Sequence, residues 1–452
     1  MQRRNFIKLS LVACYSMLAI ESLNANDIDY SQVKFSKDIY DTNKAQAIVV
    51  YLYGGASQLA GNLSNLEEIQ EKSQSNYDYF RSITKTTNEC WKEAGGSYME
   101  DMIDSGDMTI FRTAYSKVRE KVNNKAHGLC SAENQRGSFD LNRAGIVTNI
   151  GKILATNNIL NKDSVMPFVT FEGESSFYAQ GDKPISSYLK AVGLDENLNN
   201  PYDRYVRYWY YYTQEERDSS EHYNDNNSSG FDPAFTASMD SMAQSTNTHK
   251  SMKDAFDKRG DLSNFIKNLS DTEQPDLGED AYPTDNEFAK KMQSAIKIVA
   301  NNPDTKVITL NTGGLGGWDD HDDARNYVVR SEALFKTLKS AMAHLKALEK
   351  ENNVSIFVFG EFGRNVNLNS ANGWDHGNLQ NFYVLGGKDY FTHKGIVGET
   401  IVSKTGAINR LYLQPKEGTY SFEHISIAAT IYKIFGIENP EILTDSNLAV
   451  EL

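Results

Sequence analysis

Between Asn311 and Asp323 the chain reads NTGGLGGWDDHDD, which sets Asp319, Asp320, His321, Asp322 and Asp323 behind a glycine-rich lead. Carboxylate oxygens and imidazole nitrogens in alternation are donors that a divalent cation accepts, and the glycines leave the loop free to turn two of them toward one ion. The same acids can instead cap a helix starting near Ala324, because carboxylates favour the positive end of a helix. Asp322 or Asp323 suits that role, whereas capping asks for neither Asp319 nor His321. A second segment, GEFGRN, carries Glu361 and Arg364. A carboxylate there can bind metal or orient a ligand imidazole, and a guanidinium can grip an oxyanion with two parallel hydrogen bonds. The two can also pair with each other. In the third segment, NGWDHGN, Asp375 and His376 stand between Gly373 and Gly377. Neighbours on an extended chain point to opposite faces, so the glycines must bend the chain if both are to reach metal.

Each segment follows, or lies near, a run that reads as a buried strand. Ala47–Tyr53 (AIVVYLY) is continuously apolar and ends in Gly54 and Gly55. Met108–Phe111, Met166–Phe171, Lys306–Leu310 and Val354–Phe359 repeat the signature. Helical patterns run over Asn286–Ala300 and Ala324–Glu351. Strands alternating with helices predict an α/β fold with a mostly parallel central sheet and helices on both faces. The candidate residues then sit at the carboxyl ends of strands, where open parallel sheets bind ligands.

The domain plan has four parts: a leader over 1–25, the first part of the α/β domain over 26–192, an insertion or cap over 193–282, and the rest of the domain over 283–452. The insertion is polar and rich in Tyr and Asn, as in YVRYWYYYTQEERDSSEHYNDNNSS. Tyr205, Tyr208, Trp209 and Tyr212 have helical spacing there, a pattern of packing more often than of a ligand cage.

The leader begins MQRRNFIK and continues as an apolar run from Leu9 to Ile20 with a small-residue site ending at Ala25. The run is shorter than a membrane span and has the flanks of a signal peptide. Its Arg3-Arg4 pair resembles the twin-arginine consensus, a route for folded cargo, which predicts a periplasmic or cell-envelope protein. Cys14, preceded by Leu11, Val12 and Ala13, offers the rival reading of a lipidation site. Beyond residue 25 the chain has 43 Lys and Arg against 59 Asp and Glu and no second membrane segment. That acidity argues against nucleic acid and anionic lipid as partners. Cys90 and Cys130 permit one disulfide or none, so no disulfide framework carries the fold.

The order Trp-Asp-x-His (Trp318 to His321), Glu-Phe-Gly-Arg (Glu361 to Arg364), then Asp-His-Gly (Asp375 to Gly377) resembles the domain-of-unknown-function 1501 family. So does the GlyGlyAlaSerGln loop from Gly54 to Gln58, and, more loosely, His127-Gly128 with Gln135 and Gly137 beyond. A closing helix near His424, with Ala428, Ala429, Thr430 and a Phe435-Gly436-Ile437 end, is similar to that of the alkaline phosphatase and sulfatase superfamily, to which the family belongs.

The resemblance implies an alkaline phosphatase-like fold with one or two divalent metal ions (Zn, Ca, Mg or Mn) and no organic cofactor. It implies Asp319 and His321 at one metal position, Asp375 and His376 at another, Glu361 as a ligand or a partner of one, and His424 as a further ligand, with Ser426 where many superfamily members carry an acid. His393 is a reserve. Ser57 is either a metal-activated nucleophile or a turn hydroxyl, and Arg364 holds the substrate oxyanion. The superfamily's metal-binding Asp after the first strand has no counterpart between Tyr53 and Ser57. The activity implied is hydrolysis of a small phosphate or sulfate ester. The alternative is a non-catalytic envelope module that binds a glycan or a protein partner on a degenerate phosphatase-like fold.

Overall fold

The computed structural model describes residues 28–72, 82–182, 184–196, 272–404 and 410–451, with scattered positions between 198 and 269. The leader with Cys14, the Tyr205 to Tyr212 stripe and most of the insertion lie outside the described residues.

Eight strands form the central sheet: β1 (Gln46–Leu52), β2 (Met108–Tyr115), β3 (Phe168–Thr170), β4 (Val192–Gly193), β5 (Val307–Asn311), β6 (Val354–Gly360), β7 (Leu379–Gly386) and β8 (Gly395–Val397). Their order is β4-β3-β5-β1-β6-β7-β2-β8. All run the same way except β7, which is antiparallel to both β6 and β2. A separate antiparallel pair, β9 (Thr400–Lys404) and β10 (Leu411–Pro415), lies outside this sheet. The five strands expected from the sequence are all present, with ends shifted by a few residues. β7 was not expected: its run LQNFYVLG opens with Gln380 and Asn381, polar residues that break the apolar signature.

The described helices are α1 (Lys37–Asn43), α2 (Leu66–Lys72), α3 (Gly96–Asp104), α4 (Lys117–Val122), α5 (His127–Arg136), α6 (Ile146–Thr156), α7 (Glu287–Asn301), α8 (Arg325–Ala347) and α9 (Ser426–Ile434). β1 is buried along its whole length, and its side chains alternate between two cores. Ile48, Val50 and Leu52 join the core packed by α3, α7 and α8, where Met99, Met292 and Leu338 lie. Ala47, Val49 and Tyr51 join the core under α1, α6 and α9, with Tyr40, Ile150 and Ile431. This is the burial pattern of a central strand covered on both faces, and each large aliphatic side chain so buried contributes about 1.5–3 kcal/mol.

Local chemistry sets several helix starts. The Asn286 side chain accepts from the Ala289 amide at the head of α7, and Ser116 accepts from Arg119 at the head of α4. Cys90 and Cys130 are both buried free thiols, and burial pushes each thiol pKa up to about 11. Among the described residues no helix is long and apolar enough to cross a membrane.

Two buried histidines make stability depend on pH. His344 and His424 are each 1% exposed, and burial holds their pKa values down to about 4 and about 3. In the unfolded chain an imidazole titrates near 6.5. Their contribution is therefore complete above about pH 6.5 and is lost as the pH falls toward 4, where the unfolded chain takes up protons that the folded chain refuses. Each group adds a slope of about 1.4 kcal/mol per pH unit within that window. Urea unfolding at pH 7 and pH 5 is expected to show the decline, and His344→Gln to flatten it by one proton; an unchanged slope in that variant refutes the assignment.

Candidate metal centre

The ends of four strands and the head of one helix meet at the carboxyl edge of the sheet. β1 runs into Gly54 and Gly55, β5 into the Asp319 loop, and β6 into Glu361 and Arg364, while His376 leads into β7. His127 is the first residue of α5, which follows β2. Main-chain bonds zip these segments together. Trp318 N–H donates to Tyr53 O at 3.0 Å, Trp374 N–H to Asp320 O at 2.6 Å, and Gly377 N–H to Gly363 O at 2.7 Å. Arg364 and His376 form an antiparallel bridge.

Two glycines permit this closeness. Gly54 has φ +105°, and a Cβ there would stand 2.5 Å from the Asp319 nitrogen. At Gly373 a Cβ would stand 2.1 Å from the His321 carbonyl oxygen. Gln58 clamps the β6 loop from the other side: its Oε1 accepts from Arg364 N–H at 3.0 Å and its Nε2 donates to Arg364 O at 2.9 Å.

His127, Asp319, His321 and His376 each offer a ligand atom, and the four atoms lie within 4.8 Å of one another. His321 Nε2 and His376 Nε2 are 2.8 Å apart. Asp319 Oδ1 is 3.3 Å from His321 Nε2 and 3.5 Å from His127 Nε2. Phe362 closes one wall, its ring 4.7 Å from that of His376 and 5.0 Å from that of His127. Asp319 is about half exposed and opens the group to solvent. Burial works against the Asp319 charge, but the hydrogen bond and charge of Arg364, with His127 and His321, hold its carboxyl below the usual range. Burial, then the Arg364 charge and the neighbouring imidazoles, brings His376 down to about 4, so at neutral pH its ring is uncharged.

A divalent cation fits this donor set. His321 presents Nε2 to the Arg364 guanidinium, a permanent donor 3.3 Å away, and Nδ1 to Asp375 Oδ1 at 3.4 Å. The Nε2 atoms of His321 and His376 face each other at 2.8 Å, so that either one carries a proton between them or both serve one cation.

The expected residues divide into three groups. Asp319, His321 and His376 come together as expected, but in one cluster and not in two. Asp375 is not among the four: it faces His321 Nδ1 and pairs through Oδ2 with Arg410 at 2.7 Å. Adjacent Asp375 and His376 therefore address opposite nitrogens of one imidazole, as chain alternation demands. Glu361 is not among the four either: its Oε1 faces His127 Nδ1 at 2.5 Å and accepts from Gly54 N–H at 2.9 Å, and its Oε2 accepts from Ser131 Oγ.

His424 lies elsewhere, with Nδ1 accepting from Arg119 at 2.9 Å and Nε2 facing Ala114 O at 3.2 Å. His393 is likewise held by Thr109 and the Gly386 carbonyl. Ser57 is a turn hydroxyl: its Oγ accepts from Leu59 N–H at 3.3 Å at the start of a 3-10 helix. Arg364 is 1% exposed and faces inward, donating to the carbonyls of Gly54, Gly55, Trp318 and Trp374 and to Asp319. With His321 Nε2 as a sixth acceptor, its five N–H donors are all engaged. Asp323 accepts from Arg325 N–H at the head of α8, as expected, while Asp320 is buried against Arg330. His127 was not among the expected donors; the signal that could have found it is the His-Gly pair followed by Gln135 and Gly137.

The family model described as "Protein of unknown function (DUF1501)" matches residues 168–410, more than half of the chain. The chain belongs to the DUF1501 family. No curated protein matches the DUF1501 chain. Its fold is similar to that of solved structures at low identity. Alkaline phosphatase from the Antarctic bacterium TAB5 is 11% identical, over 86% of this chain and 98% of that one, with a TM-score of 0.33. Ps i-CgsB in complex with k-i-k-neocarrahexaose is 10% identical, over 88% and 74%, with a TM-score of 0.39. The lipoteichoic acid synthase LtaP from Listeria monocytogenes is 10% identical, over 92% and 80%, with a TM-score of 0.32. The matched DUF1501 span contains Asp319, His321 and His376 but leaves out Gly54 and His127.

Arg364→Lys discriminates a scaffold arginine from one that binds substrate. Lysine offers three donors on a single point and leaves buried carbonyls unmet, so unfolding stability is expected to fall by about 3–5 kcal/mol, the cost typical of breaking a buried charge network. A variant of unchanged stability with only activity reduced would contradict the scaffold role.

Proposed function

We propose that the chain is an exported hydrolase of phosphate or sulfate esters that works with a divalent cation held by His127, Asp319, His321 and His376. The observation that carries this reading is the convergence of those four donors at the carboxyl edge of the sheet. The substrate class comes from the superfamily that the motifs resemble. Such an ion, when bound, polarises a phosphoryl or sulfuryl oxygen and lowers the pKa of water. The chain's own residues do the positioning. Glu361 fixes the His127 ring, and Phe362 packs against His127 and His376 and screens one side of the group from water. The exposed Asp319 face is the approach for an ester. Ser57, whose hydroxyl is turned to its own helix, is not the attacking group in this reading, and solvent supplies it. Arg364 supports the loops and does not grip the oxyanion.

The chain as isolated is expected to contain a divalent metal and to turn over at least one aryl phosphate or sulfate ester. His376→Ala is expected to reduce that turnover by more than the ~10–100-fold that losing an outer partner costs, with the circular dichroism spectrum retained. Metal-bearing protein that hydrolyses no member of a broad ester panel removes the reading. The proposed destination is the periplasm or cell envelope by the twin-arginine route. Arg3→Lys with Arg4→Lys is expected to leave the protein in the cytoplasmic fraction, and normal export of that double variant contradicts the route.

A second reading, a non-catalytic envelope module for a glycan or a protein partner, is favoured by the structural commitment of both Ser57 and Arg364. It requires that deletion of residues 193–282 abolish capture from envelope extract while the ester panel stays silent.

A further inference from the structure

Two imidazoles of the cluster have a carboxylate behind the ring. His127 Nδ1 lies 2.5 Å from Glu361, and His321 Nδ1 lies 3.4 Å from Asp375. Glu361 is itself braced by Ser131 and the Gly54 amide, and Asp375 by Arg410. A carboxylate at one ring nitrogen selects the tautomer and aims the ring, turning Nε2 to the cluster. Three nitrogens and the Asp319 oxygen then make up the set. Calcium takes six to eight oxygens and magnesium an octahedron of them, whereas three imidazoles suit zinc, copper or nickel. Of the other expected donors, Asp375 pairs with Arg410, Asp320 Oδ1 with Arg330, and His424 with Arg119, and none of the three lies in the four-donor cluster.

We propose that Glu361 and Asp375 are positioning groups that hold His127 and His321 as Nε2 donors beside His376, so that the centre takes one ion of the zinc class and rejects calcium and magnesium. This deepens the metal-dependent reading above and rests on it. The half-exposed Asp319 is the weaker ligand, because it is shared with Arg364 at 2.6 Å. The three imidazoles carry the site.

The full chain, stripped with a chelator, is titrated calorimetrically with zinc, calcium and magnesium, and with cobalt read by visible absorption. One zinc per chain is expected, bound far more tightly than calcium or magnesium, together with the intense cobalt bands of a four- or five-coordinate site. Glu361→Gln and Asp375→Asn are each expected to weaken zinc by ~10–100-fold and to shift the cobalt bands. A purely structural role would lower the melting temperature of the metal-free chain and leave the bands in place, which overturns the positioning roles. Two zinc ions per chain, or calcium bound as tightly as zinc, overturns the ion assignment. A chain that binds one zinc yet hydrolyses no ester removes the hydrolase reading and leaves this one standing. Hydrolysis supported by calcium or magnesium alone does the reverse.

Discussion

A guanidinium buried at the meeting point of four loops governs this molecule's working edge. Arg364 has no access to water, so every N–H that its planar fork presents must find an acceptor within the protein, or the buried charge costs several kcal/mol. The acceptors come from Gly54 and Gly55 after β1, from Trp318 and Asp319 after β5, and from Trp374 before β7, while Arg364 itself follows β6. Satisfying one side chain therefore fixes four chain segments relative to one another. The three loops of the candidate centre that follow β5 and β6 and precede β7 are aligned by the same requirement. Gln58, bonded to both backbone groups of Arg364, holds the fork's base in place.

Helix α5 supplies what those loops lack. His127 heads it, and Ser131 and Asn134, further along, reach the Glu361 carboxylate and the Gly360 carbonyl. The helix is docked by Arg119, whose guanidinium bonds Glu133, Asn134 and the Cys130 carbonyl on α5, the Glu361 carbonyl after β6, and His424 beside α9. A second buried arginine thus does for the helix what Arg364 does for the loops. His424 has a neutral ring because burial penalises its charge and the Arg119 cation stands beside it. It belongs to the scaffold, although its residue type suggested a ligand.

Much of the plan was legible in the chain. Continuous apolar runs showed β1, β5 and β6, since strands covered on both faces carry no polar alternation. Gly54 and Gly373 were legible as bends, and close backbone approach is what they provide. Asp319, His321 and His376 were legible as donors because loops after buried strands concentrate them. β7 was obscured because Gln380 and Asn381, its polar opening, serve neighbours: Gln380 accepts from Gly360 N–H and Asn381 donates to Gln58 O. That Asp375 and His376 point apart follows from chain alternation, but that both then meet His321 depends on the fold. His127 stands 192 residues before Asp319 and at a helix head, so only the folded chain brings the two together. Arg364 carries the same letter whether it grips a substrate or a scaffold, and its burial decides between them.

The consequence for chemistry lies in how rigidity is distributed. His127 and His321 each have a carboxylate behind the ring, and Phe362 packs against His127 and His376, so the three rings are held from outside the cluster. Asp319 differs: it is about half exposed and divides its oxygen between the Arg364 guanidinium and the imidazoles. Arg364 keeps its four carbonyl partners if that carboxylate turns away, so of the four donors Asp319 is the one free to move. A cation held by three imidazoles and one displaceable oxygen would keep a coordination position that can open, as catalytic metal sites do and closed structural ones do not.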